Sequence, residues 1–75
     1  MKYQVEVTDT FGGEANYSWV RRYEFEAPED ATRRSIITKA KRMAGWTGAR
    51  CRVEDMGDMY TLQPQGECQV MFITY

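Results

Sequence analysis

The chain has no histidine, only two cysteines and only two prolines among its 75 residues. Without histidine, the commonest general base at neutral pH is missing, and no Ser-His or Cys-His nucleophile pair can form. The two thiols, Cys51 and Cys68, are too few for a zinc site, and their spacing matches no redox motif. No phosphate-binding loop, dinucleotide fingerprint or nucleophile elbow occurs, and Gly12-Gly13 stands outside any such context. Asp55 and Asp58 flank Gly57. Two carboxylates fall short of the roughly six to eight oxygens calcium takes, and turn chemistry accounts for the spacing. These absences lead us to expect a non-enzyme that uses no cofactor and no metal.

Long apolar runs are also missing. The longest, Val70-Met71-Phe72-Ile73, is far short of the ~20 residues that span a bilayer. Met1-Lys2-Tyr3-Gln4-Val5-Glu6 alternates polar with apolar and lacks the apolar segment of a signal peptide. We therefore expect a cytoplasmic chain that contacts no membrane, with both cysteines reduced and serving as small buried hydrophobes. A hydrophobic fraction of 43% and a charged fraction of 28% are ordinary for a globular protein. The length allows one domain, residues 1–75, with room for about one sheet and one helix.

Periodicity gives the layout. Tyr3, Val5 and Val7 alternate with polar neighbours, as in a half-buried strand. Thr10 to Asn16 reads as a loop. In the strand that follows, Tyr17, Trp19, Arg21, Tyr23 and Phe25 share one face, with Ser18, Val20, Arg22, Glu24 and Glu26 on the other. Pro28-Glu29-Asp30 has the composition of a helix start, and Ile36, Ile37, Ala40, Met43 and Ala44 form one apolar stripe up to Gly45. Three strands follow, around Cys51–Val53, Tyr60–Leu62 and Cys68–Phe72, with Cys68, Val70 and Phe72 on the core side. The expected fold is α+β: an antiparallel sheet of about five strands with one helix packed on one face, in the order ββαβββ. If the last three strands form a meander, Cys51 and Cys68 sit two strand spacings apart, about 9–10 Å. That separation is too large for a disulfide.

Acids are missing from one long stretch. Residues 1–30 carry a net charge of −4, residues 31–53 carry +7 with no acid, and residues 54–75 carry −4. The basic block comprises Arg33, Arg34, Lys39, Lys41, Arg42, Arg50 and Arg52, with Arg21 and Arg22 as possible extensions. Such a block is either an electrostatic footprint for nucleic acid or an acidic groove, or a solvated face balanced by Glu24, Glu26, Glu29 and Asp30. Its richness in Arg suits bidentate contact with phosphate or carboxylate. Trp19 beside Arg21 could stack a base. The alternation also places Met71, Ile73 and Tyr75, with Val20, on the sheet face away from the helix. That would be an apolar patch suited to a homodimer or a protein partner.

Three segments carry a family resemblance: Thr38-Lys39-Ala40-Lys41-Arg42-Met43-Ala44, Gly48-Ala49-Arg50-Cys51-Arg52-Val53-Glu54 and Met59-Tyr60-Thr61-Leu62. Together with the small size and strand order, they resemble the small phage-encoded anti-CRISPR proteins that act on type I surveillance complexes. The resemblance covers about the second half of the chain. It implies a phage or prophage inhibitor in the host cytoplasm that binds a host ribonucleoprotein complex stoichiometrically and obstructs its guide–target channel. The alternatives are a nucleic-acid-binding accessory protein using the basic block, and a homo-oligomeric structural phage component.

Overall fold

The computed structural model describes all 75 residues, Met1–Tyr75. The elements run β1 (Lys2–Phe11), β2 (Glu14–Glu26), α1 (Arg33–Met43), β3 (Cys51–Asp55), β4 (Met59–Pro64) and β5 (Gln69–Thr74). The sheet order is β2-β1-β5-β4-β3, and every neighbouring pair is antiparallel. The expected α+β fold and ββαβββ order are both present.

The topology dictates where the helix lies. β2 and β3 are opposite edges of the sheet, so the connection between them crosses the whole sheet. α1 and its flanking loops, residues 27–50, make this crossing. It buries Ile36 and Ala40, with Ala44 at its C-cap, against Tyr3, Val5, Val7, Phe25, Leu62, Met71 and Ile73. Ala40, at the centre of the stripe, is fully buried. Tyr3 stacks on Phe25 with centroids 5.3 Å apart, extending the core toward β2.

Four local expectations are corrected. The helix starts at Arg33 rather than at Pro28: Thr32 is the N-cap, its side chain accepts the Ser35 N–H at 3.1 Å, and Ser35 Oγ donates to the Thr32 carbonyl. Pro28 instead opens a turn closed by the Ala31 N–H. Thr10–Asn16 is not all loop. β1 and β2 continue to Phe11 and Glu14, joined by Gly12 and Gly13, both at positive φ as a two-residue hairpin requires.

The phase of β5 is also reversed. Met71 pairs with Val7 and Ile73 with Val5, which places both on the helix side, and each is fully buried. Met71 and Ile73 are therefore core residues and not an outer interface. Tyr75 lies on the same side and is partly exposed, packed against Tyr3 and Tyr60. Val70 and Phe72 take the outer face instead. The cysteines are unpaired, but only Cys51 is even half-buried, and Cys68 is exposed.

β2 carries a wide bulge. Thr8 pairs with Val20 but Thr10 pairs with Ala15, so β2 holds three more residues than β1 over this span. Thr8 and Asp9 close the gap. The buried Thr8 hydroxyl accepts the Tyr17 N–H at 3.0 Å and donates to the Trp19 carbonyl at 2.9 Å. The Asp9 carboxylate accepts from Ser18 N–H at 2.9 Å, Ser18 Oγ at 2.6 Å and Asn16 Nδ2 at 2.9 Å. Tyr17, between them, is held at φ 57°, a conformation uncommon outside glycine. The Ser18 hydroxyl first, and then the Asn16 amide, hold the Asp9 carboxyl well below the usual carboxylate range. Its stabilisation is therefore present above the ordinary aspartate pKa of about 3.9 and is lost as pH falls from there toward the depressed folded value. Asp9→Asn should lower stability at neutral pH and flatten the acid limb of the stability profile below about pH 5, as measured by urea unfolding across pH.

Candidate functional site

The solvent side of α1 carries cations and no acid. Arg34, Thr38 and Arg42 repeat every fourth residue, a row about 12 Å long, and Ser35 and Lys39 flank it. With Thr32 they line an open polar hollow. Arg33 is exposed at the helix start, about 100° around the axis from Arg34 and off this row, and Arg50 follows Ala49, whose carbonyl accepts from Lys41.

The five cations of α1 divide into two groups. Lys41 Nζ donates to the Ala49 carbonyl at 2.6 Å, tying the helix end to the loop that leads into β3. Lys39 Nζ donates to the Glu26 carbonyl at 3.4 Å and lies 5.3 Å from the Phe25 ring centroid, tying the helix to β2. These two lysines position the helix. Arg33, Arg34 and Arg42 make no hydrogen bond or ion pair with the protein and reach into solvent.

The nearby acids do not neutralise this face. The ion pairs of the fold are Lys2–Glu24, Arg22–Glu6 and Arg52–Glu54, and none includes a helix cation. Lys39 meets the backbone oxygen of Glu26, not its carboxylate. No acid stands in the first helical turn, and Arg33 and Arg34 sit there against the positive end of the helix dipole. That placement is unfavourable by about 0.3–1 kcal/mol per charge at an exposed end.

The other residues of the expected basic block lie elsewhere. Arg22 and Arg52 point to the outer sheet face, each paired with a glutamate at 3.2 and 3.1 Å. Arg21 lies 5.1 Å from the Trp19 ring centroid on the helix side of β2. Trp19 is half-buried against the core, so its ring is committed to packing and to Arg21. Val20 does face outward, beside Thr8. The site thus contracts to Arg33, Arg34, Lys39, Lys41, Arg42 and Arg50.

The outer face offers a second concavity that the sequence pattern did not reveal. A cleft of about 250 Å³ is lined by Tyr17, Arg22, Glu6, Glu24, Met59 and Phe72 among others. It depends on the β2 bulge, which places Tyr17 over the sheet, and on the reversed phase of β5, which supplies Phe72. Neither feature has a signature in the two-residue alternation. The cleft is smaller than a typical ligand pocket of about 300–1,000 Å³, and its charged residues are already in the Arg22–Glu6 and Lys2–Glu24 pairs.

No group of three or more Cys, Asp or Glu gathers as a metal site. Asp55 Oδ1 accepts the Gly57 N–H at 2.9 Å, closing the β3–β4 turn. Burial pushes the Cys51 thiol up from its ordinary value, against a smaller opposing pull from Lys41. Cys68 should therefore react with iodoacetamide well before Cys51 at pH 8, as read by peptide mass spectrometry of a time course. The chain matches no known protein family, curated protein or solved structure.

Proposed function

We propose that this chain is a non-enzymatic binding protein that docks the solvent face of α1 on the phosphate backbone of a nucleic acid. The observation that carries this reading is that Arg34 and Arg42 share one helix face with no acidic partner, with Arg33 unpaired at the helix start, while every ion pair of the fold lies elsewhere. A merely solubilising surface interleaves charges of both signs. Here two lysines are used to seat the helix, and three arginines are left free for planar, bidentate contacts. The Thr38 hydroxyl adds a neutral donor between Arg34 and Arg42. Contacts of this kind fix position without reading sequence.

A second reading, favoured by the exposed aromatics at the far end of the β1–β2 hairpin, is the anti-CRISPR-like one. Phe11 is 80% exposed and Tyr17 52% exposed, and such side chains suit a protein contact. In this version the protein is a stoichiometric phage inhibitor of a host ribonucleoprotein complex. The helix face meets the complex's nucleic acid, and the hairpin end meets its protein.

Fluorescence anisotropy with labelled duplex, single-stranded DNA and RNA tests the first reading. Binding should weaken as salt rises, with a log–log slope of about −0.9 per duplex phosphate neutralised. The Arg34→Glu, Arg42→Glu double variant should lose at least tenfold in affinity and lower the slope by about two. Absence of binding at low salt, or affinity unchanged by the reversal, would overturn it. Capture of a purified type I surveillance complex by a protein that ignores free nucleic acid would favour the second reading.

A further inference from the structure

We propose that β3 is a self-pairing edge through which two copies of this chain join their sheets into one. β3 is the last strand of the sheet, and no element covers its free side. Residues 52–55 are all exposed, and Val53 presents an apolar side chain 38% exposed.

The backbone fixes which groups are free. Gln65 N–H donates to the Arg50 carbonyl at 2.9 Å, and Met56 N–H donates to the Met59 carbonyl at 2.8 Å. Paired residues alternate in an antiparallel ladder, so Arg52 and Glu54 turn their N–H and C=O groups toward β4. Cys51, Val53 and Asp55 turn theirs outward. A second β3 running antiparallel can meet these groups in register only if outward residues face outward residues. Of the alignments that satisfy that rule, three pair more than one outward residue of the strand: those centred on Arg52, on Val53 and on Glu54.

Charge selects among the three. Centring on Arg52 sets arginine against arginine, and centring on Glu54 sets glutamate against glutamate; like charges directly opposite are destabilising. Centring on Val53 sets Arg52 opposite Glu54 of the second copy and Glu54 opposite Arg52, on the same sheet face. It also pairs Val53 with Val53 and Cys51 with Asp55, making about six backbone hydrogen bonds. Charged residues at an edge ordinarily guard it against association. In Cys51-Arg52-Val53-Glu54-Asp55 the guard is complementary to itself under a two-fold axis, and it admits one register.

The opposite edge is closed to the same event. Lys39 covers the outward carbonyl of Glu26, and the bulge interrupts the rest. The two-fold axis at β3 stands perpendicular to the sheet, so both copies carry α1 on the same side, a consequence of the isologous geometry.

Sedimentation equilibrium over a concentration series tests the proposal, with circular dichroism to check that each variant is folded. The wild-type chain should dimerise reversibly. Arg52→Glu and Glu54→Arg, each alone, should be monomeric at least tenfold beyond the wild-type dissociation constant. Their equimolar mixture should dimerise again, because each then supplies the charge the other lacks, and the double swap R52E/E54R should self-associate. A wild-type chain that stays monomeric throughout, single variants that dimerise as the wild type does, or a mixture that fails to recover would each overturn it.

Discussion

A single short helix has to cover a five-stranded sheet, and most features of this molecule follow from that constraint. β2 and β3 are the two edges, so the connection between them has no choice but to cross the sheet. α1 and the loops on either side of it make that crossing. The buried stripe of α1 is narrow, limited to Ile36, Ala40 and the capping Ala44. One face of the sheet is thereby sealed. The other face, both edges and the whole outer side of the helix are left to be managed by polar chemistry.

Polar chemistry divides the surface by role. On the outer sheet face, cations and anions alternate and pair: Lys2 with Glu24, Arg22 with Glu6, Arg52 with Glu54. Exposed pairs of this kind contribute little to stability; here they neutralise the sheet surface and set its register preferences. The helix works differently. Lys39 and Lys41 reach across to backbone carbonyls of β2 and of the loop before β3, which fixes the rotation of the helix about its axis. The same rotation holds Arg34 and Arg42 outward. Within α1, then, the lysines hold the helix to its neighbours and the arginines have no hydrogen-bond or ion-pair partner in the chain.

Much of the fold was legible in the sequence because alternation in Tyr3–Val7 and in Tyr60–Leu62, and the spacing of Ile36, Ala40 and Ala44, each point to one buried side. β5 was not legible for a physical reason. It is the central strand, and Val70, Met71, Phe72 and Ile73 are apolar on both faces, so alternation carries no phase there. The helix start was obscured because Pro28-Glu29-Asp30 has the composition of a first turn, while the residue that caps the helix is Thr32. The bulge was invisible because it depends on Thr8 and Asp9 reaching backbone groups about ten residues away. In the candidate site, the helix cations were legible from composition. That Arg22 and Arg52 belong to the opposite face was not, since it follows from the strand register.

The most direct test of the central claim is a titration of the ¹⁵N-labelled protein with a short DNA duplex, followed by amide chemical shifts in two-dimensional NMR. The account predicts that the perturbed amides cluster on the outer side of α1, from Thr32 through Arg34, Ser35 and Thr38 to Arg42, with the outer sheet face unmoved. Perturbations centred instead on Tyr17, Met59 and Phe72 would contradict it and move the binding site to the cleft on the opposite side of the sheet.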